Sequence, residues 1–272
     1  MHISSEKIQS FQSTIWEYYS QHGRVMPWRN TTNQYHVFLS EVMLQQTQVS
    51  RVMTKFVEFT EKFPTFNSLS KASLLEVLSA WQGMGYNRRG KYLKESAEII
   101  VKKYEGIIPT IPMEVDVLPG IGPATASAIV TYIYNIPTVF IETNIRRVMI
   151  YHFFPESTEI DDKLIFPFIE ATLDRSKPRE WYYALMDYGT FLTKKNENPN
   201  KRSKHYSVQS NFETSDRKIR GEILRQIVKI GNINYETIVE LCIGNEDRAN
   251  KILNQMVKEG MVKEKKSLYF VP

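Results

Sequence analysis

The chain is 272 residues long, with 35 Lys and Arg against 30 Asp and Glu (net charge +5) and 42% hydrophobic residues. That is enough apolar material for a substantial core, which excludes disorder throughout, and the slight basic excess suits a polyanionic partner without requiring one. Its single cysteine, Cys242, excludes an intrachain disulfide, a four-cysteine zinc site and an iron–sulfur cluster on four protein thiolates.

The N-terminal stretch MHISSEKIQSFQSTIWEYYSQ is amphipathic and lacks the continuous apolar run of a signal peptide. Apolar positions Leu39, Val42 and Met43, then Val49, Val52, Met53 and Phe56, recur every three or four residues, so two helices are predicted on either side of Thr47. Further helical runs cover 68–80, 88–104, 123–134, 144–153, 161–174 and 178–194, punctuated by Gly83, Gly85, Pro109, Pro112 and Pro119. The most apolar window, Ala126–Ile141, is interrupted by Asn135 and Pro137 and is too short to span a bilayer. A soluble cytoplasmic protein with no membrane partner is the expectation.

At Lys194–Phe212 (KKNENPNKRSKHYSVQSNF) the chain turns polar and basic, the composition of a linker or surface loop. Three short helical patterns follow, Asp216–Lys229, Tyr235–Cys242 and Glu246–Glu259, and the tail GMVKEKKSLYFVP reads as two short turn-linked strands. Three helices and a β-wing resemble a winged-helix domain; a helical packing module with a frayed tail is the plainer alternative. Lys258, Lys263, Lys265 and Lys266 cluster near the wing, so this module is expected to tighten binding to a polyanion while being dispensable for any chemistry.

The segment LPGIGPATA, Leu118–Ala126, has two glycines one residue apart, a proline before them and a helix start after them. Gly120 and Gly122 are expected to turn the backbone tightly, so that amides at a helix N-terminus meet a phosphate unobstructed by side chains. Such a hairpin grips DNA through its backbone without reading bases.

Five segments occur in one order: MPWRN (Met26–Asn30), SEVMLQQTQV (Ser40–Val49), WQGMGYNRRGKYL (Trp81–Leu93), LPGIGPATA and IETNIRRV (Ile141–Val148). Together they resemble the MutY adenine DNA glycosylase branch of the helix-hairpin-helix (HhH-GPD) superfamily, over residues 20–190. The resemblance implies an all-α, two-lobed glycosylase fold over residues 1–196, one lobe at 30–137 and the other combining 1–29 with 138–196. A basic linker at 197–213 and a small winged-helix-like domain at 214–272 complete the expected organisation.

By position, Glu41 matches the family's general acid, which delivers a proton to the departing base. Apolar neighbours Leu39, Val42, Met43 and Leu44 suit a protonated carboxyl group, whereas an exposed helical glutamate is the plain alternative. Glu142 stands where the family has an aspartate that stabilises the sugar cation, the same two-carboxylate logic as a glycosidase; a helix cap is the alternative. The two are expected to face each other across a cleft. Gln46 resembles the residue that enters the duplex where the base leaves, and Tyr86 one that wedges beside the opposite base, with core packing as the alternative for Tyr86 and Trp28. Arg29 is expected at the pocket or a phosphate, Asn144 beside Glu142, and Arg88, Arg89, Lys91, Arg146 and Arg147 at phosphates.

Three departures shape the functional expectation. Ala124 stands where bifunctional relatives carry the lysine that forms a Schiff base, which predicts a monofunctional enzyme without strand cleavage. No cysteine follows ALMDYG (Ala184–Gly189), where the family's iron–sulfur loop belongs, so no cluster is expected; the one inorganic partner left open is a monovalent cation at the hairpin. The Nudix-related C-terminal domain with which the family reads 8-oxoguanine is replaced by the short module. The expected partner is duplex DNA carrying a mispair or lesion, bound by a nucleoid-associated monomer. The expected activity is excision of adenine opposite guanine or 8-oxoguanine. Thymine or uracil excision opposite guanine, and a non-catalytic lesion-binding protein, stay open.

Overall fold

The structure, a computed structural model, describes residues 3–195, 197–208 and 211–272. Fourteen helices and one 3-10 turn are described, with three short strands near the C-terminus. The helices are α1 (Ser5–His22), α2 (Gln34–Leu44), α3 (Val49–Lys62), α4 (Phe66–Lys71), α5 (Leu74–Ala80), α6 (Arg88–Tyr104), α7 (Pro112–Val115), α8 (Pro123–Tyr134), α9 (Thr143–Phe153), α10 (Asp162–Thr172), α11 (Pro178–Lys195), α12 (Asp216–Ile230), α13 (Tyr235–Leu241) and α14 (Glu246–Lys258). The fold is all-α, as the periodicity predicts. The run predicted at 68–80 is two helices, because the side chains of Ser73 and Glu76 form a capping box that starts α5 afresh.

The helices gather into two compact units. The first comprises Met1–Asn33, Pro109–Asp116 and Gly122–Val208. In it α11 lies along α1 and α9, with Trp181 and Tyr182 fully enclosed and Phe11 meeting Trp181 edge-on at 5.9 Å. Helix α8 belongs here, although the expected boundary placed it in the 30–137 lobe. Tyr132 stacks on Tyr183 at 4.7 Å, Arg179 donates to the Ile133 carbonyl and the Tyr182 hydroxyl donates to that of Thr138, so α8 and the strap after it are bound to α11.

The basic segment expected as a linker is a packed loop over residues 197–206. A 3-10 turn at Pro199–Arg202 buries Asn200, whose amide donates to the Thr143 carbonyl (2.9 Å), and Ser203 bridges to Ile160. Asparagines and an arginine satisfy backbone groups here, which polar composition alone does not reveal. The linker positions 209 and 210 lie outside the described residues.

The second unit comprises Gln34–Ile108, Val117–Ile121 and Gln209–Pro272. Its centre is the pairing of α4 with α6, and Trp81 is wholly enclosed beside it. The C-terminal part has the winged-helix order, α12–β1–α13–α14–β2–β3, with β1 (Ile233–Asn234), β2 (Lys263–Lys265) and β3 (Leu268–Phe270) in an antiparallel sheet ordered β1-β3-β2. Ile233 and Glu264 flank Tyr269 in register. Lys266 and Ser267 both take positive φ at the β2–β3 turn, the twist a two-residue hairpin demands. Strand β1, only two residues long, is too brief to show an alternation.

This module is not an independent domain. Leu74 and Leu78 of α5 are buried in one core with Ile223, Ile227, Ile252 and Met256.

Candidate active site

In the second unit, α2 buries Val37, Phe38, Leu39, Ser40, Val42 and Met43 and leaves Glu41 half-buried between two buried neighbours. The helix ends at Leu44, and the turn after it is held by Arg89. That guanidinium donates to the carbonyls of Val42 and Met43 (2.9 Å each) and Gln45 (2.6 Å), and to the Thr47 hydroxyl (2.8 Å). It also reaches the Met84 and Gly85 carbonyls at 3.2 and 3.3 Å, so one side chain ties the end of α2 to the turn before α6. Burial pulls Arg89 down to about 10, still charged at neutral pH. A phosphate contact at Arg89 is therefore ruled out: its donors serve the orphan carbonyls of a helix C-terminus.

Gln46 is exposed with φ +54°, and Tyr86 is half-buried with φ +45° between Gly85 (+69°) and the start of α6. Left-handed backbone is uncommon outside glycine and costs of order 1 kcal/mol or more. Both residues expected to enter the duplex carry it, each at the tip of a turn pinned by Arg89. Arg88 pairs its guanidinium with Glu259 at 3.1 Å.

The hairpin glycines are unlike each other. Gly120 has φ +75°, and a Cβ there would lie 2.7 Å from the Tyr92 ring; its carbonyl accepts from Gln45 Nε2 at 3.1 Å. Gly122 has an ordinary extended backbone, φ −101°, contrary to the expectation that both glycines serve the tight turn. Nothing lies within 4 Å of a Cβ built on it, it stands at the N-cap of α8, and among the described residues no side chain caps that helix. Its contribution is open space before a helix N-terminus. Ala124 sits exposed in the first turn of α8.

The first unit holds Glu142, and it is the N-cap of α9. Its Oε1 accepts from the backbone amides of Asn144 (2.7 Å) and Ile145 (2.8 Å), and Oε2 from Asn144 Nδ2 (3.3 Å). Glutamate rarely caps in this way; Ser, Thr, Asp and Asn are the usual choices. Burial raises the Glu142 carboxyl above its ordinary range, while the two amides and then Arg147 and Arg146 pull it back. Asn144 Oδ1 accepts from Arg147 Nη1 (2.6 Å), which also donates to the Gly189 carbonyl (2.9 Å), and Arg147 Nε donates to Asn198 Oδ1 (3.1 Å). A Cβ on Gly189 would sit 2.6 Å from the Asn144 carbonyl oxygen, so α11 touches the backbone of α9 at this point.

Three further expectations change. Arg29 is buried in a two-pronged ion pair with Asp187 (2.9 Å per prong), with Arg24 on the same carboxylate and the Tyr183 ring 4.5 Å away. Its side chain is 5% exposed, which removes it from any phosphate and makes it a structural cation. Burial opposes the Asp187 charge, but the bonds from Arg29 and Arg24 outweigh it and hold this carboxyl below its ordinary range. Arg146 forms a fork with Asp162, at 2.7 and 2.6 Å, and Arg147 is buried. Carboxylate–cation pairs between separate elements carry no periodic signal, which is why composition points to phosphates.

Residues 39–166 match the HhH-GPD superfamily of base excision DNA repair proteins. The chain is 35% identical over 184 residues to an adenine DNA glycosylase of Buchnera aphidicola subsp. Baizongia pistaciae, covering 67% of this chain and 52% of that one. It is 32% identical over 196 residues to the human adenine DNA glycosylase, covering 67% and 36% respectively. This chain belongs to the HhH-GPD superfamily.

The chain thus spans about half the length of the Buchnera relative, and less of the human one. Among solved structures, a thermostable thymine-DNA glycosylase superposes with a TM-score of 0.65 at 23% identity, covering 72% of this chain and 92% of that one. An endonuclease III trapped on DNA gives 0.59 at 15% identity, covering 70% and 88%. Both likenesses are of fold. The superfamily match ends before α11 and so leaves out the winged-helix module entirely. The residues present do not fit an iron–sulfur cluster. Cys242 is buried in the module core, and among the described residues no group of three His, Cys, Asp or Glu is placed to hold a metal.

Proposed function

We propose that this HhH-GPD protein is a monofunctional DNA N-glycosylase that removes adenine mispaired with guanine or 8-oxoguanine, without a metal cluster. The observation that carries the reading is the placement of Glu41: half-buried in an apolar helix, one turn before a pinned, left-handed Gln46. Support for adenine comes from the relatives, which are named adenine DNA glycosylases at 30–38% identity.

In this reading the C1′–N9 bond of the flipped nucleotide breaks as the Glu41 carboxyl protonates the purine, so adenine departs neutral. Glu142 stabilises the sugar cation. Water adds hydroxide to C1′, and its remaining proton returns to Glu41, leaving an abasic site. Lysine at position 124 would permit a Schiff base; alanine has no amine, so the strand stays intact. The uncapped amides of α8 and the amide of Gly120 serve DNA phosphates.

The test is release from duplexes carrying A, T, U or hypoxanthine against each opposite base. Adenine released opposite guanine or 8-oxoguanine, with the strand uncut until alkali is added, is the expected result. Release of thymine or uracil alone would move the substrate, and no release with retained binding would make the protein a lesion sensor. Stoichiometric iron by elemental analysis would overturn the cluster-free assignment.

A further inference from the structure

The loop that follows α11 grips α9 at both of its ends. At the C-terminal end Arg202 donates to the carbonyls of Ile150, Phe154 and Pro155. At the N-terminal end the Asn200 amide donates to the carbonyl of Thr143, the residue after Glu142. Asn198 joins this loop to the capped start of α9. Its Oδ1 accepts from the Asn200 backbone amide and from Arg147 Nε, at 3.1 Å each. The first of these bonds caps the 3-10 turn, so the direction of the Asn198 oxygen is set by its own backbone. All of these residues belong to the first compact unit, and Asn198 lies outside the superfamily match.

We propose that Asn198 is a positioning residue for the Glu142 carboxylate, acting through Arg147 and Asn144. The proposal rests on the glycosylase reading above, in which that carboxylate meets the sugar cation. A guanidinium carries only donors, so Arg147 Nη1 obliges Asn144 to present its side-chain oxygen, at 2.6 Å. Asn144 thereby turns its NH2 group towards Glu142 Oε2. Arg147 Nη1 is also tied to the Gly189 carbonyl, but a planar group held through one nitrogen can still turn about it. Asn198 holds a second nitrogen of the same plane, Nε, and that fixes the plane. The two backbone amides seat Oε1; the relay from Asn198 decides where Oε2 points. A carboxylate that stabilises a developing charge has to be held to within about 0.5 Å by such supports.

The test compares three variants of the full chain. Asn198→Ser keeps an oxygen to cap the 3-10 turn but ends one bond short of Arg147, Asn198→Asp keeps an acceptor for both donors, and Asn198→Leu keeps neither. Each is read by single-turnover release of adenine from a mispaired duplex, by duplex binding, and by NMR exchange of the Asn144 side-chain NH2 protons. Asn198→Ser and Asn198→Leu should lower release by about 10- to 100-fold with binding unchanged, since an ångström of misplacement costs on the order of 10²-fold. Both should also speed exchange of the Asn144 NH2 protons by roughly 2- to 10-fold, the share of one hydrogen bond. Asn198→Asp should stay close to the wild type in all three readouts. Wild-type release or wild-type exchange in Asn198→Ser would overturn the proposal and reduce Asn198 to the cap of its turn. Losses in Asn198→Asp equal to those in Asn198→Leu would overturn it too. A wild type that releases no base would sink the glycosylase reading, while the Asn144 exchange would still decide whether Asn198 holds the group beside Glu142.

Discussion

The end of α2 and the start of α9 meet the same physical demand with different residues. Each is a helix terminus with orphan backbone groups and a macrodipole pole, and each is closed by the opposite charge. At α2 the closing group is Arg89, which covers three carbonyls, while Glu41 stands a turn inside the helix. At α9 the closing group is Glu142 itself, which takes two amides. Under the proposed function, structure and chemistry are thus divided between two side chains in one place and merged in a single carboxylate in the other.

Mutations separate the two arrangements. The largest effect is expected from Glu41→Gln, which should cut single-turnover excision by roughly 10²- to 10⁴-fold, the share of a general acid, while thermal melting stays at the wild-type value. A matched fall in melting temperature would mean that Glu41 is structural after all. Arg89→Met should do the reverse in kind. Stripping partners from several enclosed carbonyls should cost about 3 kcal/mol in denaturant unfolding, with excision falling because Glu41 and Gln46 lose their frame. An unchanged unfolding midpoint would sink the division of labour.

Glu142→Gln should move both observables, and in opposite directions. A carboxyl whose value is raised in the folded state contributes stability that is present below its ordinary 4.5 and fades as pH rises through the raised value. The glutamine variant should therefore gain on the wild type in melts run upward from pH 4, levelling off once Glu142 is fully ionised, while its excision collapses. Glu142→Asp should keep the cap and the chemistry. A Gln variant with full activity would leave Glu142 a cap and nothing more. The smallest effect is reserved for the wing: replacing Lys263, Lys265 and Lys266 by Gln should leave both helix ends and the bound-state excision rate alone. It should lower the salt slope of DNA binding by roughly one for each phosphate that is no longer neutralised.

Local features are legible where one residue dictates backbone geometry. Asn135 ends α8 in the left-handed region and Pro123 opens it, and the predicted limits at 123–134 follow. The start of α9 at Thr143 is legible in the same way, through the carboxylate that precedes it. Pairings between distant residues are not legible. Arg29 meets Asp187 158 positions away, and no rule of spacing distinguishes that buried cation from one awaiting a phosphate. The shared core of α5 and the C-terminal helices is hidden likewise: Leu74 and Leu78 fit a helical stripe whatever covers it. Removing 214–272 would therefore uncover both leucines. Glu41, Gln46, Tyr86 and Glu142 stand out because motifs carry them; the roles of their supports, Arg89 and Asn198, lie outside any spacing argument.

Gly189 has a consequence for reading variation in this gene. A single added methyl at that position has no room against the Asn144 carbonyl, so α9 would have to retreat and carry its capping carboxylate with it. An allele encoding alanine there would retain every residue named in the chemistry and still be defective. Under the proposed function its carrier would accumulate unrepaired mispairs from a change that looks conservative, in a helix interior where alanine is normally the most welcome residue.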